Sequence, residues 1–454
     1  MRVFLAVLAG KLVKLFCRLV HRGGTGKPGE IAMKIYPDIL KVLSKNTKCV
    51  IITGTNGKTT STRMVEEGFS SASLSYFSNR SGANLISGIV TDFIVNSTLS
   101  GKCRKEYAIL ECDEAATKRV CLLTQPELIF VTNLFRDQVD RFGSAVNTRD
   151  NIRIGIQNSP KSVLVLNADC PLCVSLAENV PNRAVFFGIN ESASGKCGSP
   201  GVSDLTECID CGASYEYSYH TFSHLGGYSC PSCGKCRPDA DYGISDIILQ
   251  KLSGSTVSAS TPCGSTEISI NLPAVYNMYN AIGSLAAMEN MGISRECALS
   301  ALSTFQCGFG RMEHFDLGKK GARMILVKND AGCNQVLRFL ENIKESFVLS
   351  IYLNNNVSDG VDISWLDSAE FEILKECPVS RIYISGMRAD EVHERLQRAG
   401  ISEGLMELEK SCKELIRKLS ESEDPVFIMP TYTGMMETRS EIIRLIGGNE
   451  FWET

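Results

Sequence analysis

Short β-branched runs alternate with amphipathic stretches through the first part of the chain, at 49–53, 107–111, 128–133, 162–167 and 184–188. Runs of that length between helical periods predict a mostly parallel sheet covered by helices, an α/β architecture. The alternation breaks between Glu191 and Asp241, where Gly, Ser, Cys and Tyr dominate. It resumes at 242–252 and 267–272, followed by a predicted helix from about Tyr276 to Met291. After Gly308-Phe309-Gly310-Arg311 a second α/β series begins, at 324–328, 347–353, 381–385 and 426–429. The boundary is predicted near 305–318. The expected organisation is a helical segment at 1–44, an α/β domain at 45–305 with an irregular insert at about 205–237, and a second α/β domain at 306–454. Neither tandem repeats nor low-complexity tracts interrupt it.

In the first twenty residues, Phe4, Leu8, Leu12, Leu15 and Val20 alternate with Lys11, Lys14 and Arg18, which predicts an amphipathic helix. Positive charge follows the apolar run instead of preceding it, unlike a signal peptide, and the run is too short to cross a bilayer. Two readings stay open for this helix: packing on its own domain, or peripheral contact with the inner membrane surface.

The 454 residues exceed what one core accommodates, so two or three domains are expected. A net charge of −4 supplies no basic field, so nucleic acid is not expected as a partner. The 19 cysteines are odd in number and scattered. Cys49, Cys103, Cys112, Cys121, Cys297 and Cys307 sit in or beside apolar runs, as free thiols do. This predicts a reduced, cytoplasmic protein without a disulfide framework.

Candidate chemistry begins where the strand ending at Thr53 runs into Gly54-Thr55-Asn56-Gly57-Lys58-Thr59-Thr60. A Gly-rich turn opening a helix aims backbone N–H groups and a helix N-terminus at one anion. Lys58 would reach the β- and γ-phosphates of a nucleotide, and the Thr59 hydroxyl would hold Mg²⁺. Ile52 occupies the place of the first Gly of the strict motif, so the flanking strand and helix carry the reading. Glu111, Asp113 and Glu114 end the strand 107–111; Glu111, nearest the strand's end, is the candidate metal carboxylate, against a cluster that serves the helix dipole.

Cys208-x-x-Cys211 and Cys230-x-x-Cys233 lie in the irregular insert, with Gly212 and Gly234 just past each second cysteine. Four thiolates at this spacing predict a closed, structural Zn²⁺ site. Cys236 offers a rival pair with Cys233, and His220 and His224 offer substitutes. Cys170-x-x-Cys173 has no partner pair and reads as two incidental helix-start cysteines. Asn277 and Asn280 share one helix face, where they would serve a base or phosphate, or cap the helix. Arg311 and Glu313 would reach the nucleotide or form a hinge salt bridge.

Together the loop 54–60, Glu111, Asn133 with Asp137 and Asp140, the Asn277/Asn280 helix and Gly310-Arg311-Met312-Glu313 resemble the Mur ligases of cell-wall synthesis. Those enzymes phosphorylate a carboxylate with ATP and let an amine attack the acyl phosphate. Within them, the resemblance is to the MurT ligase subunits of lipid II isoglutaminyl synthases. Asn133-Leu134-Phe135-Arg136-Asp137-Gln138, the four-cysteine insert and Asp359-Gly360-Val361-Asp362-Ile363-Ser364-Trp365 carry it, together with the lack of a separate UDP-binding domain. Amino-acid-adding members usually carry Asp-His where this chain has Asp137-Gln138. Relatives often have Asn-Pro-Ala-Gly where this chain has Asn329-Asp330-Ala331-Gly332.

The resemblance implies ATP, Mg²⁺ and Zn²⁺ as cofactors, with Gly54–Thr60, Asn280 and Arg311 on ATP and Thr59 and Glu111 on magnesium. It implies that the D-glutamate α-carboxylate of the lipid II stem peptide is amidated with ammonia from a GatD-type glutaminase partner. Asp362 would complete that partner's Cys-His pair; from the residues alone, Asp-Gly and Asp362 read as a turn or cap. Alternatives are a conventional Mur-type amino-acid ligase and a nucleotide-gated zinc-ribbon binding protein.

Overall fold

The computed structural model describes residues 1–19, 24–79, 83–135, 145–197, 205–251, 254–306 and 310–447. The chain divides into two compact units, Met1–Phe305 and Gln306–Thr454.

The first unit is built on a nine-stranded sheet in the order β11-β10-β9-β6-β5-β4-β1-β3-β2. Its strands are β1 (Lys48–Thr53), β2 (Tyr76–Ser78), β3 (Tyr107–Glu111), β4 (Leu128–Val131), β5 (Val163–Asn167) and β6 (Ala184–Ile189). β9 (Tyr242–Lys251), β10 (Gly254–Thr261) and β11 (Gly264–Ile270) complete it, and β7 (Glu216–Phe222) with β8 (Leu225–Ser229) forms a separate hairpin. Pairing is parallel from β2 through β9, and antiparallel only between β9, β10 and β11. β3 and β4 are buried along their whole length, which is why they read as continuous apolar runs.

The antiparallel edge departs from expectation. β10 was not predicted, because Gly-Ser-Thr-Val-Ser-Ala-Ser-Thr alternates buried with half-buried positions and presents hydroxyls outward. The expected strand at 267–272 instead runs Gly264–Ile270. In the irregular insert, the β7–β8 hairpin is rich in Tyr, Ser and Gly, and its buried large side chains are few: Phe222, Leu225 and Tyr228. The segment 1–44 forms the helices Arg2–Leu19, Lys27–Ile35 and Ile39–Leu43.

The second unit carries a six-stranded sheet in the order β12-β13-β17-β14-β15-β16. Its strands are β12 (Arg311–Phe315), β13 (Ala322–Ile325), β14 (Phe347–Tyr352), β15 (Val379–Ser385), β16 (Met406–Leu408) and β17 (Val426–Pro430). Only β12–β13 is antiparallel. Phe427 stands edge-on to Phe347 and Phe339, with ring centroids 5.4 and 5.9 Å apart.

Candidate active site

β1 lies between β3 and β4, so the connections that leave the three strands open a crevice at their carboxyl ends. The loop 54–57 enters it and the helix Lys58–Ser71 leaves it. Gly57, at φ 83°, caps that helix without a side-chain acceptor, leaving the first-turn N–H groups facing the crevice. A Cβ on Gly57 would collide with Asn280 Oδ1, so only glycine allows this approach.

Asn133 holds the loop from β4: its Oδ1 accepts from Asn56 N at 2.9 Å and its Nδ2 donates to Asn56 O at 3.0 Å. Thr132 Oγ1 donates to the same carbonyl at 2.7 Å, and Phe135 N donates to Thr55 Oγ1 at 3.0 Å. Thr59 Oγ1 donates to Glu111 Oε2 at 2.6 Å. The Glu111 backbone is clamped by Asn79, whose Oδ1 accepts from Glu111 N at 2.9 Å and whose Nδ2 donates to Glu111 O at 2.7 Å. Lys58 Nζ lies 2.6 Å from Glu114 Oε1 and donates to the carbonyls of Gly54 and Thr55. Asp113 caps the helix Glu114–Thr124, accepting from Ala115 N at 3.0 Å. Burial, then the neighbouring Glu114, raises the Asp113 carboxyl, with Lys58 pulling against them.

Gly54 to Lys58, Thr59, Glu111 and Asn280 are therefore brought together, and Thr60 is buried in the first turn beside them. A ring of N–H donors and an ammonium suit a polyphosphate; the facing Thr59 and Glu111 oxygens suit a hard divalent cation. Two participants were not anticipated. Glu114 reads in the sequence only as part of a carboxylate cluster, and Asn79 follows a strand only three residues long. Asp137, Gln138 and Asp140 lie outside the described residues, as does the side chain of Arg311. Glu313 accepts from Arg439 Nε at 3.0 Å and from Gly310 N at 2.8 Å, so it pairs within its own unit. Asn329 caps the helix Asp330–Glu341 by accepting from Gly332 N at 2.8 Å.

Asn280 sits on the helix Val275–Asn290, whose place is fixed from the far side. Its neighbour Tyr279 donates to the fully buried Asp169 at 2.5 Å, and Asp169 also receives Arg237 Nε at 2.6 Å and Ile189 N at 2.9 Å. Burial pushes the Asp169 carboxyl up, and those donors pull it back. Thr221 Oγ1 is 2.5 Å from the Tyr279 hydroxyl. Thr221 belongs to β7 and Arg237 follows the last cysteine of the insert, so the insert is bolted to the Asn280 helix. Asn277 donates to Pro273 O at 2.7 Å and accepts from Asn280 Nδ2 at 3.3 Å.

The four sulfurs of Cys208, Cys211, Cys230 and Cys233 lie within 4.8 Å of one another, with Cys208–Cys233 at 3.6 Å and Cys211–Cys230 at 3.5 Å. A tetrahedral zinc with Zn–S bonds of about 2.3 Å places its sulfurs about 3.8 Å apart, so the donor set fits that ion. Burial works against the Cys208 thiolate, but the N–H groups of Asp210 and Cys211, with the Tyr215 hydroxyl and Cys233, together outweigh it and lower the thiol to about 6. The rivals stand elsewhere. Cys236 is exposed and bridges to Ser229. His220 stacks on Tyr217, and the buried His224 faces Cys170 Sγ at 3.5 Å. Cys170 thus has an imidazole neighbour that its place at a helix start did not suggest.

In the second unit, Asp359 is buried and accepts from Asn356 N at 3.0 Å, Thr433 N at 2.6 Å and Thr433 Oγ1 at 2.6 Å, which pins its loop to the helix Tyr432–Ile446. Asp362 is different: half-buried, it accepts, among the described residues, only within its own turn, from Ser364 N at 2.8 Å and Ser364 Oγ at 3.0 Å. Val357 and Val361 beside it are largely exposed.

Residues 326–435 match the family model described as MurT ligase C-terminal, and residues 52–207 match that of the Mur ligase middle domain. The MurT subunit of the glutamine-hydrolyzing lipid II isoglutaminyl synthase of Streptococcus pneumoniae is 33% identical over 442 residues, 97% of this chain and 96% of that one. Its namesake from Staphylococcus aureus is 30% identical over 99% of this chain and 100% of its own. Among solved structures, a pseudomurein peptide ligase type C from Methanothermus fervidus superposes with a TM-score of 0.68 at 22% identity, covering 90% of this chain and 81% of that one. MurF ligase from Thermotoga maritima, solved in complex with ADP, gives 0.62 at 13% identity, with 92% and 84% covered. With both units matched and identity of 33% sustained along nearly the whole length, the chain belongs to the MurT family of Mur-type ligases.

Proposed function

We propose that the chain is the ATP-dependent ligase subunit that amidates the α-carboxylate of D-glutamate in the lipid II stem peptide. The observation that carries this reading is the near-full-length likeness to MurT subunits of glutamine-hydrolyzing lipid II isoglutaminyl synthases. The carboxylate oxygen attacks the γ-phosphorus of ATP, releasing ADP and forming an acyl phosphate. Ammonia then attacks the acyl carbon; inorganic phosphate leaves, a proton is lost and the carboxamide remains. Ammonia comes from glutamine hydrolysed by a GatD-type partner.

In this reading the N–H groups of 54–60 and Lys58 hold the β- and γ-phosphates, with Asn280 completing the ATP site. Thr59 and Glu111 would hold magnesium, which when bound neutralises charge on the transferred phosphoryl group. Asp362, held by Ser364 and otherwise unengaged among the described residues, would orient and stabilise the imidazolium of the partner's Cys-His pair. With that partner, the chain should consume lipid II, glutamine and ATP and yield the amidated product by mass spectrometry, and ammonium should replace glutamine. Turnover by the isolated chain that requires an amino acid and no ammonia would instead make it a conventional Mur-type amino-acid ligase.

The four cysteines are proposed to hold a structural zinc, which ties together an insert whose own apolar cluster, around Tyr215 and Tyr228, is small. Stripping the metal with a strong chelator should release zinc, measured with a chromogenic dye. It should also abolish the near-ultraviolet circular dichroism of Tyr215, Tyr217 and Tyr228, whose rings lie 5.3–6.5 Å apart. A metal-free protein with an unchanged spectrum would refute the structural role.

A further inference from the structure

The helix Arg2–Leu19 packs on its unit through its smallest side chains. Ala6, Val7 and Gly10 are buried, whereas Phe4, Leu5, Leu12, Leu15, Phe16 and Leu19 are 45–71% exposed. At about 100° per residue, those six fall in one arc of about 120° along the full helix, opposite the buried face. A helix made only to cover its own core has its large apolar residues inward. This one is reversed.

The edges of the stripe are cationic. Lys11 and Arg18 border one side and Arg2 the other. Burial and the nearby Arg104 lower the Lys11 ammonium. Among the described residues no carboxylate forms an ion pair with Arg2, Lys11 or Arg18. In the sequence the first acidic residue, Glu30, comes after Arg2, Lys11, Lys14, Arg18, Arg22 and Lys27. Two copies of this helix would bring cation against cation, which opposes self-association. Among the described residues no helix is long and apolar enough to cross a membrane. A wide apolar stripe edged by cations suits the plane of an anionic lipid surface.

We propose that the helix Arg2–Leu19 seats on an anionic lipid bilayer, with its exposed Phe and Leu side chains among the acyl chains and Arg2, Lys11 and Arg18 at the lipid phosphates. The assignment stands apart from the amidation chemistry, and its test contains neither ATP nor glutamine. The full chain should co-sediment with phosphatidylglycerol/phosphatidylcholine vesicles about tenfold more tightly than with phosphatidylcholine alone. L12E with F16E should reduce binding to both, and R18E should reduce only the preference for phosphatidylglycerol. All three positions are exposed, so the thermal midpoints should stay unchanged. Failure to sediment with vesicles, or sedimentation unaltered by L12E/F16E, would overturn the proposal. So would light scattering that shows a dimer which the same pair of substitutions converts to monomer.

Discussion

Replacing Lys58 by alanine should lower ATP turnover about 10²–10³-fold, the scale on which one preorganised charge stabilises a transition state. The measurement is ADP release with saturating ATP and lipid II. Lys58 also has a structural partner: its ammonium lies 2.6 Å from Glu114, with side chains 12% and 7% exposed. Removing the lysine strands that carboxylate, at a cost of up to about 3–5 kcal/mol, so lost activity alone would be ambiguous. Glu114→Gln in the Lys58→Ala background separates the two roles. The double variant should recover the melting temperature without recovering turnover. Regained turnover would make Lys58 a structural residue and remove the phosphate-binding reading of the loop.

Asp362→Asn should cut glutamine hydrolysis by the assembled two-subunit complex about 10⁴-fold, as loss of the orienting carboxylate does in a catalytic triad. Ammonium-driven amidation should be unaffected, because in the proposed mechanism Asp362 takes no part in forming or breaking the acyl phosphate. Asparagine keeps one oxygen to accept from Ser364, so the turn should survive. Asp359→Asn makes the contrast: Asp359 accepts two bonds from Thr433 and one from Asn356 N in its own loop, so its loss should show in the melting temperature. An intact Asp362→Asn complex that hydrolysed glutamine at the original rate would end the shared-triad assignment.

What could be read before the structure depended on how each element is buried. Strands covered on both faces, such as Tyr107–Glu111, announce themselves as apolar runs. β2 is too short to show a period, and β10 hides behind hydroxyl side chains on an edge whose outer face needs no apolar cover. At the crevice, loop spacing brings Gly54 to Thr60 into view, because phosphate cradles demand glycine and a lysine at set intervals, and its place at the end of a strand singles out Glu111. The Lys58–Glu114 pair and the Asn79 clamp were invisible for a different reason. Each depends on which strand lies beside which, and local spacing holds no record of that. Likewise, paired cysteine knuckles show in sequence, but the burial of His224 against Phe135 and Cys170 is decided only by tertiary packing.

The Asp169 junction bears on how such a chain can change over evolutionary time. Its carboxylate is fully buried and shared between Arg237 of the cysteine-bearing insert and Tyr279 of the Asn280 helix. A deletion that trimmed the insert together with Arg237 would leave that charge interred without its cation, at a cost of about 3–5 kcal/mol, much of a typical domain's stability. Shortening is tolerable only if Asp169 changes in the same step. Insert and carboxylate are thus one heritable unit.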